Sequence, residues 1–402
     1  MPEDPSAGLV ITSTVFKYFV KNMINSVTLK NFRGFSDTTV PLSNVTMLTG
    51  TNGVGKTSVL EGMYCLFSET RLDVSPLVRY NRTLGIVINQ VNGIQNIHGR
   101  QGYNYKLFWE ECPTSNGQPC CVSAKSDDGI TRQWTYTKAR ISDLDVKMLR
   151  DATQMGIPVD SSTDVAHFKW EHNGISFDEK TNKRNPLPPN KIRAQILNPD
   201  GGLYMIPHEN QIASVCRYLD FASIRAMPME LSYQKAKMLT EALKVINPRI
   251  TDVRITNIMN GLSVVLDDNK EMTLGTIGNG AVTWVSTLIA IFELIEQFKI
   301  DQQTNIPILF LIDEFGAGIH YSVMNDVWKY IRDFTARYPN IQFITTSHSD
   351  DCIRAFCETF TENKNAASIV RLHKAVDGEI VSTLYETNRF NTIMSGEWEV
   401  RG

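Results

Sequence analysis

Strand-like and helix-like patterns alternate along the chain, and their order predicts an α/β fold. Residues 24–32 (INSVTLKNF) and 38–49 (TTVPLSNVTMLT) gather apolar and β-branched residues at strand spacing. A glycine-rich stretch follows, after which residues 57–67 carry helical spacing. Between 103 and 138, the segments GYNYKLFWEE and TRQWTYTK surround turn signals at Asn116-Gly117 and Asp128-Gly129, which predicts an antiparallel meander. Residues 165–178 predict a hairpin turning at Asn173-Gly174, and the proline-rich, basic stretch 179–193 predicts a loop. Helical character returns at 229–245 and stops before Asn247-Pro248. Short strands are expected at 250–256 and 262–267.

The last third has the clearest rhythm. An apolar helix over 280–299 is followed by a strand at 308–312, a helix at 321–336, a strand at 341–346 and a helix at 349–360. Such alternation is the mark of a parallel sheet with helices packed on it. No internal repeat and no sustained heptad run is visible. The expected organisation is an extension over 1–22, an N-terminal half over 23–210, a helical/β insertion over 211–270 and a C-terminal half over 271–402.

Composition narrows the functional classes. With 402 residues, 42% of them hydrophobic, the chain can bury a large core. A net charge of −3 argues against coating nucleic acid through charge alone, although a local basic patch stays open. No apolar run approaches the ~20 residues that cross a bilayer. The first residues, MPEDPSAG, lack the basic start of a signal peptide, so a cytoplasmic location is expected. Seven cysteines, an odd number without a C-x-x-C pair, fit a reducing compartment. Cys112, Cys120 and Cys121 are poorly spaced for zinc.

One segment carries specific chemistry. Gly50, Thr51, Asn52, Gly53, Val54, Gly55, Lys56 and Thr57 fit the pattern G-x-x-x-x-G-K-[ST], with a strand expected before and a helix after. The glycines let successive backbone N–H groups converge on one anion at a helix N-terminus. Lys56 is expected to reach the β- and γ-phosphates of ATP and Thr57 to hold Mg²⁺, with Ser58 beside them in the same turn. The partner motif is Ile308-Leu309-Phe310-Leu311-Ile312-Asp313-Glu314, an apolar strand ending in two acids. Asp313 is expected to bind Mg²⁺ through water and Glu314 to polarise the attacking water. Two acids at this position could also be carboxylates enriched at a helix start. After the next strand stands His348, placed to sense a γ-phosphate. Its neighbours Ser347 and Ser349 are equally suited to cap the following helix.

These residues resemble the ABC-type ATPases of the RecF/SMC/OLD-like branch. The likeness runs through SVTLKNFRGF (26–35), GTNGVGKTSVLEGM (50–63), LIDEFGAGIHYS (311–322) and ITTSHSDDCIRAF (344–356). It implies an ABC-ATPase-like P-loop fold with a mixed central sheet, an antiparallel meander and a helical insertion. It also implies ATP-sandwich dimers in which the loop at Thr276, Gly278 and Gly280 caps the nucleotide of a partner copy, with His320 at the junction. That loop departs from the usual Leu-Ser-Gly-Gly-Gln signature. The metal-contacting glutamine stays open among Gln90, Gln95 and Gln101.

Long coiled coils of the SMC kind are not visible, and only about fifty residues follow His348, too few for the Toprim nuclease domain of OLD proteins. Stand-alone ATPases of this size resemble the ATPase subunit of PARIS-type anti-phage defence pairs. That resemblance implies a homo-oligomer restraining a separate Toprim-like nuclease or toxin until a phage-encoded trigger arrives. A RecF-like clamp on duplex DNA is the alternative, with Lys180, Lys183, Arg184, Lys191, Arg193, Arg79 and Arg82 as candidate basic residues. An ATP-locked scaffold with little turnover is a third reading.

Overall fold

In the computed structural model the described residues are 23–67, 118–127, 129–140, 164–173, 175–178, 183–186, 193–197, 203–205, 215–219, 233–255, 262–297, 308–362 and 366–395. The extension at 1–22, the GYNYKLFWEE segment and the three candidate glutamines lie outside them.

Strand β1 (Ile24–Phe32) buries Ile24, Val27, Leu29 and Phe32. The three-residue steps break strict alternation at two places. A register shift against β4 lies between Ile24 and Ser26, and Asn31 adopts a left-handed φ of 49°. Each irregularity re-phases the strand so that its apolar side chains stay on one face. The stretch read as one strand at 38–49 is two. Strand β2 (Phe35–Pro41) pairs antiparallel with β1, whereas β3 (Val45–Thr49) enters a different sheet. Pro41 has no N–H with which to extend the ladder. Just beyond it the Thr46 hydroxyl accepts from Ser43 N at 2.8 Å, turning the chain.

Helix α1 (Lys56–Phe67) follows the glycine-rich loop, and every residue from Ser58 to Phe67 is buried. A helix apolar all round must be covered on all sides, and α1 lies between two sheets. On one side is an antiparallel sheet formed by β1, β2, β4 (Cys120–Ser126), β5 (Thr131–Arg140), β6 (Asp164–Asn173), β9 and β10. Gly129, of the expected Asp128-Gly129 turn, donates its N–H to Ser126 O at 3.0 Å between β4 and β5. The predicted hairpin at 165–178 does not form. β6 pairs with β5 on one edge and β9 on the other, leaving no edge for the next strand. That strand, β7 (Ile175–Asp178), pairs instead with β8 (Lys183–Pro186), inside the stretch expected to be loop. β9 (Arg193–Leu197) and β10 (Leu203–Met205) complete the sheet.

On the other side of α1 is a mixed sheet in the order β11, β15, β16, β3, β17, β18. Strand β11 (Val215–Leu219), within the segment read as an insertion, is a member of this sheet and pairs in parallel with β15. The chain then forms α2 (Tyr233–Lys244), a three-stranded meander of β12 (Ile250–Ile255), β13 (Leu262–Leu266) and β14 (Glu271–Thr273), the short α3 (Leu274–Ile277) and the long α4 (Asn279–Gln297). Trp284 of α4 is fully buried and donates its indole N–H to Ala242 O of α2 at 3.0 Å.

Strand β15 (Ile308–Ile312), α5 (Tyr321–Arg337), β16 (Ile341–Thr346) and α6 (Asp350–Phe360) follow in the predicted alternation. β17 (Ala367–Lys374) runs parallel to β3, and β18 (Ile380–Glu386) turns back antiparallel before α7 (Phe390–Met394). The central strands are buried on both faces. Ile308, Phe310 and Ile312 pack with the helices, while Leu309 and Leu311 pack with α1 and the antiparallel sheet.

One buried polar residue joins the two sheets. Gln342 of β16 is fully buried; its Oε1 accepts from Ile24 N at 2.7 Å and its Nε2 donates to Ile24 O at 3.0 Å and Ser43 O at 3.2 Å. Each bond satisfies a backbone group that packing would otherwise orphan.

Candidate functional site

The glycine-rich loop leaves β3 at the carboxyl end of the mixed sheet, where parallel sheets form ligand sites. Gly50 opens it at φ 130°, and a Cβ there would stand 2.2 Å from Leu372 O, so backbone geometry and packing both demand glycine. Gly55 closes it at φ 107°, and a Cβ would meet the Phe35 ring at 2.8 Å. Thr51, Asn52 and Gly53 form the exposed tip, Val54 is buried beneath them, and Ser58 is buried in the first turn of α1.

The signature-like start of the chain braces this loop. Phe35 supplies the surface against Gly55, and Arg33, at φ 51° in the turn between β1 and β2, forms an ion pair with Glu61 of α1 at 2.7 Å. Glu61 is only 2% exposed, so its charge requires that partner.

Lys56 donates to the carbonyl oxygens of Gly50 at 2.7 Å and Thr51 at 2.9 Å, which holds its ammonium within the loop. Burial pushes its pKa below the ordinary lysine value, and the carboxylates of Asp313 and Glu314 oppose that shift. Thr57 donates to Asp313 Oδ1 at 3.1 Å, across 256 residues of sequence. Asp313 is 5% exposed, and its carboxylate is held from three elements. Thr57 and Thr346 donate to Oδ1 at 3.1 and 2.6 Å, and Tyr218 of β11 donates to Oδ2 at 3.3 Å.

Glu314 follows with an exposed side chain and a φ of 56°, a left-handed conformation that costs a non-glycine residue about 1–2 kcal/mol. Two hydrogen bonds hold this turn. Thr346 Oγ1 accepts from Glu314 N at 2.8 Å, and Thr346 O accepts from Phe315 N at 2.9 Å. Strain of this kind collects where a side chain must be aimed. His348 is exposed at the end of β16, between the acid pair on β15 and the loop on β3. Beside it, Ser347 N donates to Leu48 O at 3.2 Å and Ser349 caps α6 through Cys352 N, so the capping role falls to Ser349 and leaves the imidazole outside it.

The oxygen donors Thr57 Oγ1 and Asp313 Oδ1 suit a hard cation such as Mg²⁺.

The loop at 276–280 joins a different neighbourhood of the same chain. Thr276 donates to Thr273 O at 2.6 Å, and Gly278 ends α3 at φ 127°. Gly280 packs against the segment after Glu314, where a Cβ would lie 2.3 Å from Gly318 O. His320 caps α5 by accepting from Ser322 N at 3.3 Å. Among the candidate basic residues, Lys183 and Arg184 fall on β8 and Arg193 on β9, in separate sheets. Lys180, Lys191, Arg79 and Arg82 lie outside the described residues. Thr346 and Tyr218 were not singled out by sequence reasoning. The only sequence signal for Thr346 was its place at the end of a β-branched strand, and Tyr218 had none.

The chain is similar to several known proteins. Residues 23–127 match the AAA ATPase domain. The matched stretch contains β1 to β3, the glycine-rich loop and α1. Over 365 residues it is 21% identical to an ATP/GTP phosphatase of Helicobacter pylori, covering 85% of this chain and 89% of that protein. Among solved structures, the SMC head domain of Thermotoga maritima aligns with a TM-score of 0.39 at 12% identity, over 90% of this chain and 99% of that one. The recombination mediator RecF aligns with a TM-score of 0.38 at 8% identity, over 90% and 98%. Among the described residues, no helix is long and apolar enough to cross a membrane.

Proposed function

We propose that the chain binds ATP with Mg²⁺ and hydrolyses it to ADP and phosphate, as an ABC-type ATPase of the RecF/SMC-like kind. The observation that carries this reading is the contact between Thr57 and Asp313, which joins the phosphate loop to the acid strand. In this reading the loop amides and Lys56 bind the phosphates, and Thr57 and Asp313 hold the metal, which offsets phosphate charge when bound. Glu314 orients the attacking water and accepts its proton, and His348 lies against the γ-phosphate. The Helicobacter pylori relative, by its description a phosphatase of ATP and GTP, supports nucleotide hydrolysis and keeps guanine nucleotides within the substrate class.

The finer reading concerns what turnover controls. ATP-sandwich dimers within a homo-oligomer, restraining a separate nuclease or toxin in anti-phage defence, fit the resemblance to PARIS-type ATPases. The close packing of Gly280 on the segment after Glu314 supports coupling between the loop at 276–280 and the acid pair. In this reading the chain acts in the cytoplasm.

The test pairs Lys56→Ala with Glu314→Gln. Lys56→Ala is expected to lose tight ATP binding, whereas Glu314→Gln keeps binding and slows turnover by about 10²-fold or more. Normal ATP binding by Lys56→Ala would sink the phosphate-loop assignment. Co-purification of the wild-type chain with a stoichiometric effector that is released on infection tests the defence reading. Recovery with duplex DNA alone would overturn it.

A further inference from the structure

We propose that Tyr218 is a positioning residue for the metal-holding carboxylate of Asp313, tying it to the phosphate-loop helix. This rests on the nucleotide-site reading above and names a group that the phosphate-loop and acid-strand motifs do not contain.

Strand β11 contributes twice to Asp313. Its backbone fixes the start of the acid turn, since Asp313 N donates to Leu219 O at 2.9 Å. Its side chain reaches the carboxylate, since the Tyr218 hydroxyl donates to Oδ2 at 3.3 Å. The register explains why the two meet. Tyr218 lies opposite Leu311 in the parallel β11–β15 ladder, and Asp313, two residues beyond Leu311, projects to the same face. On that face the Tyr218 ring meets the Tyr64 ring of α1, with centroids 5.9 Å apart and planes tilted by 56°. Tyr64 is itself buried, eight residues after Lys56 on the helix that the phosphate loop opens.

The carboxylate is thus oriented from both sides. Thr57 and Thr346 engage Oδ1, and Tyr218 engages Oδ2. A phenol donating to one oxygen fixes the plane of the carboxylate and leaves the other oxygen turned towards Thr57. Donors of this kind hold a metal ligand in its binding orientation, and their loss costs about 10–100-fold in metal affinity. The contact with Tyr64 makes that orientation depend on where α1 sits.

Tyr218→Phe removes the hydroxyl and keeps the ring against Tyr64. The probe is Mn²⁺, titrated by electron paramagnetic resonance into the full chain with the non-hydrolysable β,γ-imido analogue of ATP. Nucleotide binding in EDTA is measured in parallel, and Asp313→Asn serves as the reference variant. The expected result is Mn²⁺ affinity weakened about 10–100-fold in Tyr218→Phe, with metal-free nucleotide affinity unchanged. If Tyr218→Phe binds Mn²⁺ like wild type while Asp313→Asn loses it, the positioning role is overturned and the nucleotide-site reading stands. A lowered thermal midpoint with unchanged Mn²⁺ affinity would likewise make Tyr218 a packing residue only. If Asp313→Asn also matches wild type, the site reading itself fails, and the inference with it.

Discussion

Thr346→Val removes one oxygen and almost no volume, yet that oxygen links both acids of the site. The hydroxyl donates to Asp313 Oδ1 at 2.6 Å and accepts from Glu314 N at 2.8 Å, at a position 1% exposed. A hydrogen bond to a charged group contributes about 1.5–3 kcal/mol, and leaving a donor unsatisfied adds about 1–3 kcal/mol. Water reaching the carboxylate recovers part of this, so a net loss of about 3 kcal/mol in folding stability is expected. The effect on turnover has a separate cause. Glu314 is held at φ 56° partly by this bond, and once it is gone the backbone can relax towards ordinary values. Displacing the Glu314 carboxylate by about 1 Å is expected to slow hydrolysis about 10²-fold. Steady-state phosphate release at saturating ATP measures turnover, and urea unfolding measures stability. Thr346→Ser retains the hydroxyl and should stay close to wild type in rate. Turnover by Thr346→Val within about two-fold of wild type would refute the claim that this hydroxyl aims Glu314.

Two further outcomes follow from the site. Arg33→Ala removes an ion pair from a Glu61 carboxylate that is 2% exposed and should destabilise the chain by up to about 3–5 kcal/mol in urea unfolding, with much of the loss recovered in Arg33→Met/Glu61→Leu; a single variant as stable as wild type would show that the pair does not brace α1. Lys56 must be charged to hold phosphate, and burial has lowered its pKa from 10.5. Bound phosphate raises that pKa again, so ATP affinity should be full at neutral pH and fall as pH rises through the lowered value. Fluorescent-nucleotide titrations that stay flat up to about pH 10.4, the ordinary lysine value, would contradict this.

The elements that could be read from sequence were those whose neighbours are local or uniformly apolar. β15 and β16 are buried on both faces; an unbroken apolar run announced β15, and the apolar and β-branched residues around Gln342 announced β16, each with its bounds intact. The split between β2 and β3 was not legible, because both halves are β-branched and apolar and only their partners differ. The same holds for β6, whose Asn173-Gly174 ending looks like a hairpin turn until β9 occupies the edge that β7 would need. That Lys56, Thr57, Asp313 and Glu314 come together was legible, because the G-x-x-x-x-G-K-[ST] pattern and an acid pair at a strand end each constrain residue type and spacing. Thr346 and Tyr218 meet Asp313 only through strand register, which no local pattern records. The pairing of Arg33 with Glu61 gives the KNFRGF segment a physical role, since its arginine and second phenylalanine both bear on the phosphate loop and its helix.

The clasp at Gln342 also has a mechanical side. It pins the two sheets together near the start of β16, whereas Thr346 and His348 stand at the far end of the same strand. Four residues of strand separate Gln342 from Thr346, a lever of about 13 Å. A tilt of about 5° about that pin would move the Thr346 end by about 1 Å while barely disturbing the pin itself. Gln342 thus sits where a rotation of one sheet on the other would be felt least and, at the far end of its strand, most.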